Sequence, residues 1–417
     1  MMAGSFRRQQ WQMLLATMFC YLFFYTGRHN FGWAAKSLIA ELGVSYAQLG
    51  WISFSMLMGY AIGQLINGNL ADYFSSRKMI LAGGLLSVAA NIAISFSRTY
   101  TMILILWCLN GYFQSLAWAP GTRIISNWWR REERGKAFGL YTMAAGLSSV
   151  VTFLLSILIV QQDAAWPSLF RIPVLFLLGA VLIFFFLTAD KPSDRGFANL
   201  YQESTIGHSS NWKERYSVVF GNRRFMMASL AMGFESMARY GLIVWVPVHY
   251  LGSNWKDNPH YLWATLLMPV GMSLGALTFG SISDKLLKGN SVAAIRMGML
   301  ISAVLALLIF SLSIENLIVS GSLMFLAGFF VYGPQSNFWP MSPEILGEKY
   351  VATGVGVMNT AAYIFAALGE PLLGFIIDLT GNTSYVFLAI TLICLLCALT
   401  ISAVRKPGMK VPLSIVG

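Results

Sequence analysis

Charged side chains are scarce in this 417-residue chain. Asp, Glu, Lys and Arg together make up 11% of it, whereas a typical soluble domain has about 25%. Hydrophobic residues make up 57%. The length alone would allow two or three soluble domains, but long apolar stretches exclude that organisation. The composition predicts a chain that lies largely within a lipid bilayer.

Several chemical signatures are also missing. The sequence has no Walker phosphate-binding loop, no His-Glu-x-x-His zinc motif and no Gly-x-Ser-x-Gly nucleophile elbow. Its four cysteines, Cys20, Cys108, Cys394 and Cys397, all fall in apolar stretches, where we interpret them as small packing residues rather than a redox or metal pair. The sequence therefore predicts no enzyme, no cofactor, no metal site and no ATP-driven transport by this chain alone.

Twelve apolar stretches have roughly the 20 residues needed to cross about 30 Å of hydrocarbon. Backbone polar groups in lipid must bond within their own segment, and the alternation expected of barrel strands is absent, so each stretch is predicted to be a helix. The sequence thus predicts an all-α polytopic membrane protein with twelve transmembrane helices. The predicted spans lie near residues 11–35, 47–70, 79–97, 101–126, 136–160, 168–188, 224–251, 260–283, 292–312, 316–339, 351–377 and 383–404.

The net charge of +11 reflects membrane topology rather than a nucleic-acid partner. If the N-terminus is cytoplasmic, most Lys and Arg fall in cytoplasmic loops, and the outer loops hold only Lys36, Arg98 and Lys256. This bias predicts that both termini are cytoplasmic. The first apolar run is too long for a cleavable signal and is interpreted as the first span.

A polar stretch near residues 189–223 divides the spans six and six. The predicted organisation is an N-terminal six-helix bundle over 1–188, a cytoplasmic linker over 189–223 and a C-terminal six-helix bundle over 224–417. Each half begins on the same side of the membrane, so the repeat is parallel at the level of halves.

A short loop motif is repeated in the two halves. Gly68-x-x-x-Asp72 follows the second span, and Gly280-x-x-x-Asp284 follows the eighth. The first copy and its basic residues resemble the corresponding loop of the major facilitator superfamily, which implies two bundles that rock about a central site. An aspartate here could cap a helix or pair with Arg134 and so form a gate; a solvated loop that sets topology is the alternative. The candidate gating residues are Asp72, Arg77, Arg134, Asp284 and Lys288.

Arg28 and Arg239 lie inside predicted spans at matching places in the two halves, separated by nearly the same offset as the two loop motifs. An ionised side chain within the bilayer is costly and is seldom kept without a use. The pair therefore predicts one central site, lined by both halves, that receives an anion.

Patches in both halves resemble the organophosphate:phosphate antiporters. In that family two arginines at the positions of Arg28 and Arg239 clamp the substrate phosphoryl group, which is exchanged for inorganic phosphate. A guanidinium stays charged and presents a planar fork to phosphate oxygens. The matching residues are Tyr25, Arg28 and Phe31; Gly111, Gln114, Trp118 and Pro120; Trp128, Trp129, Glu133, Arg134 and Gly135; Arg239, Tyr240, Gly241, Trp245 and Pro247; and Tyr332, Gly333 and Pro334.

The accessory charges of that family are replaced. His29 and Gln64 stand where relatives have lysine, and Ala145, Val244 and Pro269 stand where the glycerol-3-phosphate type has ionisable residues.

Two new acids appear as candidate coupling residues. Glu235 lies one turn before Arg239 and could be its ion partner or carry a proton. Glu370 lies deep in the eleventh span and could carry a proton, hold the cationic end of a zwitterion, or face a wet cavity.

Further polar and aromatic residues are candidates to line the site. Each has a second interpretation, as hydrogen-bonding or packing contacts between helices. The candidate substrate-binding residues are Arg28, Arg239, His29, Gln64, Gln114, Trp118, Tyr240 and Asn337.

The sequence predicts a monomeric secondary transporter of a small organic anion, above all a phosphorylated metabolite, in a bacterial inner membrane. Exchange for inorganic phosphate is what the resemblance implies. The alternatives are proton symport of an organic anion or zwitterion, and a transporter-like sensor of sugar phosphates.

Overall fold

The computed structural model describes residues 2–70, 74–130, 133–200, 212–252, 256, 259–312, 316–347 and 350–404. Within these ranges the secondary structure is helical and contains no strand. The helices are α1 Met2–Phe24, α2 Phe31–Leu42, α3 Tyr46–Leu70, α4 Ser76–Ile94, α5 Tyr100–Gln114, α6 Trp118–Trp128, α7 Arg134–Gln161, α8 Ser168–Leu187, α9 Trp212–Gly221, α10 Arg223–Tyr250, α11 His260–Leu286, α12 Ser291–Ser311, α13 Leu317–Tyr332, α14 Met341–Leu346, α15 Val351–Thr380 and α16 Tyr385–Ser402.

Ten helical stretches of the described residues are long and apolar enough to cross a membrane. The other two predicted spans begin with α1, which ends just before Arg28, and α10, which contains Arg239. α1 begins with a polar turn, and α10 carries two arginines at its start as well as Glu235 and Arg239. Both nevertheless pack inside the bundle, α1 against α7 and α8 and α10 against α15 and α16. The predicted all-helical membrane fold is confirmed.

Three predicted spans are interrupted rather than continuous. The first breaks between α1 and α2, the fourth between α5 and α6, and the tenth between α13 and α14. Proline accounts for two of the breaks: Pro120 and Pro334 lack the backbone N–H that would continue the helical hydrogen bonds. The first break contains no proline, and side chains from other helices stabilise it.

The two halves of the chain approach closely at one end of the bundle. We call the end that holds the start of α1 and the end of α16 the near side, and the opposite end the far side. A methyl group placed on Gly50 would lie 2.4 Å from the carbonyl oxygen of Glu370, and one on Gly374 would lie 2.2 Å from that of Tyr46. The backbones of α3 and α15 can meet on the far side because these positions are glycine.

Polar contacts reinforce this far-side closure. The Asp378 carboxylate accepts hydrogen bonds from the backbone N–H groups of Tyr46 at 2.9 Å and Ala47 at 2.8 Å. A side chain of α15 thus caps the N-terminus of α3 in the other half of the chain. In addition, Lys36 donates to the carbonyl of Leu251 at 2.7 Å.

Toward the near side the helices of the two halves separate. Methyl groups placed on Gly139 of α7, Gly280 of α11 or Gly356 of α15 would meet no atom of the described residues within 4 Å. The helices α7 and α11, like α3 and α15, touch across the halves elsewhere along their length. In the part of the chain that the structure describes, the halves are therefore closed on the far side and open on the near side.

Four of the candidate gating residues, Arg77, Arg134, Asp284 and Lys288, lie on the near side. Arg77 donates through its backbone N–H to Asp190 at 2.8 Å and through Nε to the carbonyl of Phe185. Arg134 donates to two backbone carbonyls at the end of α6. Asp284 and Lys288 are exposed, and Asp72 lies outside the described residues. Their gating role stays a prediction.

The far-side cap leads to a test. Replacing Asp378 by alanine should destabilise the state that is closed on the far side by roughly 1 kcal/mol, the usual contribution of a helix cap. The population open on the far side should then rise about fivefold. A cysteine introduced at Ser53 should then be labelled faster by a membrane-impermeant thiol reagent from the far side. Glu344→Ala removes an exposed carboxylate of α14, away from this contact, and should change labelling little. Equal labelling in both variants would contradict a role for the cap in closure.

Candidate functional site

Arg28 lies at the interruption of the first span. A single 3-10 turn, Tyr25–Gly27, follows α1, and the backbone N–H groups of Arg28 and His29 both donate to the carbonyl of Tyr25. The interruption turns the chain so that the Arg28 side chain enters the interface between the halves. It also leaves the carbonyls of Phe24 and Gly27 without their helical partners, a costly situation in a membrane interior.

Side-chain amides from two neighbouring helices satisfy these carbonyls. Gln114 donates to the carbonyl of Phe24 at 2.9 Å, and Asn110 and Asn91 donate to that of Gly27 at 2.8 and 3.2 Å. Ser87 ties the amides together, donating to Asn110 and accepting from Gln114. We call Ser87, Asn91, Asn110 and Gln114 the amide cradle.

The guanidinium of Arg28 is surrounded by tyrosines and keeps unused donors. The residue is 4% exposed, and Nη2 of the guanidinium donates to the hydroxyl of Tyr240 in the other half at 2.5 Å. Its central carbon lies 4.3 Å from the ring centroid of Tyr60 and 5.2 to 5.8 Å from those of Tyr25, Tyr240 and Tyr363. Nε and Nη1 have no hydrogen-bond partner among the described residues.

Arg239 lies on the other side of Tyr240. Its guanidinium carbon is 4.5 Å from the Tyr240 ring and 4.7 Å from the Tyr332 ring. Tyr240 therefore contacts both arginines, bonding one through its hydroxyl and meeting the other through its ring face. Two cations from opposite halves are held near each other with unused N–H groups, an arrangement suited to an anion that bridges them.

His29 joins Arg28 at a small cavity on the interface. Its Nδ1 pairs with the hydroxyl of Ser149 at 3.0 Å, while Nε2 has no partner among the described residues. The Ser53 hydroxyl, also without a partner there, lines the same cavity. Polar groups that water or a ligand could satisfy thus face this space.

The remaining predicted substrate contacts are spread more widely. Gln64 donates to the Tyr60 hydroxyl at 2.7 Å, next to the tyrosines around Arg28. The amide nitrogen of Gln114 donates its hydrogen bonds within the amide cradle. Trp118 stacks on Tyr141 with ring centroids 4.9 Å apart. Asn337 is buried in the 3-10 turn of the tenth span. Gln114 and Trp118 thus make contacts between helices, which was the second interpretation of these residues.

The two candidate coupling acids occupy different places. Glu235 is fully buried, with Oε1 3.8 Å from Nε of Arg239. Glu370 is also fully buried, beside the indole of Trp245 and at the far-side contact with Gly50. Neither Glu370 oxygen has a hydrogen-bond partner among the described residues. The first acid belongs to the arginine site and the second to the seal between the halves.

Sequence reasoning missed Ser87, Asn91 and Tyr60. Ser87 and Asn91 are four residues apart in a predicted span and so share one helix face. Two polar residues on one face of an apolar helix could have predicted a hydrogen-bonding contact with another helix here. Tyr60 gave no comparable signal, because the chain has 17 tyrosines.

Comparisons with known proteins agree with this architecture. The sequence profile of the Major Facilitator Superfamily matches residues 17–370. The chain is 25% identical over 384 residues to a probable hexose phosphate transport protein of Chlamydia pneumoniae, covering 87% of this chain and 84% of that one. It is 26% identical over 396 residues to the phosphoglycerate transporter protein of Salmonella typhimurium, covering 91% and 85%. A bacterial homologue of the human lysosomal transporter Spinster, solved in an inward-facing and unoccupied conformation, has the same fold, with a TM-score of 0.74, 16% identity and 95% coverage of both chains.

The amide cradle can be tested through Gly27. A methyl group there would lie 3.1 Å from Asn91 Nδ2 and Ser87 Oγ and 3.2 Å from Gln114 Nε2. Gly27→Ala should therefore destabilise the protein by about 1–3 kcal/mol, as overpacking of a tight site does. Gly179→Ala, where no atom of the described residues lies within 4 Å, should be neutral or slightly stabilising. Thermal unfolding of the purified variants in detergent measures both, and equal melting temperatures would show that the cradle is not tightly packed.

Proposed function

Because the chain belongs to the Major Facilitator Superfamily, we propose that it is a secondary transporter of a phosphorylated organic metabolite that works by alternating access. The observation that carries the proposal is the pair of buried arginines, one from each half, that share Tyr240 and keep unused N–H donors. The relatives named for hexose phosphate and phosphoglycerate transport support the same substrate class.

The chemistry of the pair suits a phosphoryl group. Two guanidinium groups in a site of low polarity repel each other, and a phosphate placed between them removes that repulsion. Each can offer parallel N–H donors to phosphate oxygens. Since Arg28 and Arg239 belong to different halves, the bound anion draws the halves together, and its binding free energy can favour a closed state.

Exchange for inorganic phosphate is part of the same proposal. The group that the arginines would hold is common to an organic phosphate and to inorganic phosphate, so either anion can occupy the site. We propose that the occupied site changes its accessibility readily, whereas the empty site keeps a buried net positive charge that opposes the change. Transport would then be obligatory exchange rather than net uptake.

The orientation and the moving parts are also proposed. The near side, where most of the loop Lys and Arg lie, would face the cytoplasm of a bacterial inner membrane. The bundles 1–188 and 224–417 would rock about the arginine site, joined by the linker 189–223, and a monomer would suffice. A protein with this action is a transporter and not an enzyme.

Proton symport is a second candidate because of Glu370. A carboxyl group with no exposed surface and no hydrogen-bond partner among the described residues is expected to be neutral in this state. Its place at the contact of α3 with α15 means that opening the far side would hydrate it. Dependence of uptake on a pH gradient, without internal phosphate, would favour this alternative.

The clamp predicts a specific loss of transport. Arg28→Lys and Arg239→Lys keep the charge but lose the fork of N–H donors, so each should weaken phosphate binding by about 2 kcal/mol, or roughly 30-fold. Exchange of radiolabelled inorganic phosphate in proteoliposomes measures the effect.

Arg171→Lys is the matched control, since Arg171 bonds Ser95 at the far side and lies outside the site. It should exchange phosphate at nearly the parent rate. Near-parental exchange by either clamp variant would remove the support for an arginine-held phosphate.

A further inference from the structure

The two arginines of the site have different partners. Arg28 has no carboxylate within 4 Å among the described residues, whereas Arg239 has Glu235 one turn earlier on α10. Glu235 therefore places a carboxyl group in a site that is otherwise arranged for an anion. The proposed phosphate clamp does not use it.

The contact between Glu235 and Arg239 is loose. Oε1 of Glu235 lies 3.8 Å from Nε of Arg239, which is beyond hydrogen-bond distance. Neither atom has a hydrogen-bond partner among the described residues. The other carboxylate oxygen accepts from the Ser236 hydroxyl at 3.0 Å. Attraction between charges holds the pair, and Nε stays available to a competing anion.

The surroundings of Glu235 leave Arg239 as its charged partner. The carboxylate has no exposed surface, and a buried carboxylate is costly unless a cation balances it. When a ligand draws Arg239 toward itself, the free energy of the ionised carboxylate rises. The titratable side chains that face Glu235 are Arg239 on α10, Tyr332 on α13, and Cys394 and Cys397 on α16.

We propose that Glu235 is an internal counter-ion, which neutralises Arg239 while the site is empty and takes up a proton when a dianionic phosphate binds. This inference rests on the proposed function and adds a proton to each bound dianion. The charge balance is simple. Two arginines and an ionised Glu235 carry a net charge of +1, which a dianion would exceed. With Glu235 protonated, two positive charges meet two negative ones.

The proton comes from water on the open near side and ends on a carboxylate oxygen of Glu235, or on the phosphate if it binds as a monoanion. In both cases a dianion from solution binds together with one proton. Sulfate distinguishes the two destinations, because it has the same shape and charge as dianionic phosphate but does not accept a proton near neutral pH. Proton uptake with sulfate would place the proton on the protein.

Isothermal titration of the purified protein at about pH 8, in two buffers of different ionisation enthalpy, measures the protons taken up. For the parent protein we expect about one proton per bound phosphate, and the same with sulfate. Glu235→Gln should bind phosphate with no proton uptake and with higher affinity at this pH, because the competing anion is gone. Glu235→Asp should restore proton uptake, and Glu344→Gln, which removes an exposed carboxylate on α14, should behave as the parent.

The outcomes separate this inference from the proposed function. Phosphate binding by the parent protein without proton uptake would overturn the role of Glu235 and leave the clamp intact. Loss of the proton in Glu370→Gln but not in Glu235→Gln would assign it to the far-side acid and would also overturn the inference. Failure of the folded parent protein to bind phosphate or sulfate would overturn the proposed function and this inference with it. If Glu235→Gln does not fold, sulfate binding by the parent protein without proton uptake still overturns the inference, and persistence of the uptake in Glu370→Gln still supports it.

Discussion

The hydrogen bond between Arg28 and Tyr240 is the contact on which the site depends, and it exists because the first span is interrupted. A continuous helix would carry Arg28 past the interface between the halves. The 3-10 turn redirects it, and the amide cradle compensates for the carbonyls of Phe24 and Gly27 that the turn exposes. In water such carbonyls would be solvated, but in a bilayer interior each needs a protein partner. A buried polar network of this kind fixes one conformation because every member is satisfied.

The site and the far-side closure are physically connected. Gly32, four residues after Arg28, packs against the backbone of Val244, four residues after Tyr240. The segments that carry Arg28 and Arg239 are thus the segments that meet to close the far side. An anion that draws the arginines together acts directly on this contact, without a long chain of intermediate residues. The glycines allow the backbones to approach, and the Asp378 cap fixes their register.

The two halves use equivalent arginines in different electrostatic settings. Arg28 is surrounded by aromatic rings, which stabilise a cation weakly and leave its N–H groups free. Arg239 has a carboxylate at hand as well. A parallel repeat therefore does not imply a symmetric site. The C-terminal half also holds Glu370, so both buried acids, Glu235 and Glu370, lie in one half, while the amide cradle lies in the other.

The sequence by itself determined the membrane fold and the pair of arginines. Lipid excludes unsatisfied backbone, so long apolar runs can be little else than helices, and a charge within them is conspicuous because it is costly. The tertiary structure decided which polar residues serve the site and which serve the helices. Gln114 was expected to be near substrate, yet its amide holds the carbonyl of Phe24, and the roles of Asn91 and Asp378 depend on residues far away in the chain. Such pairings leave no periodic trace, because they are set by how helices pack and where a span is interrupted.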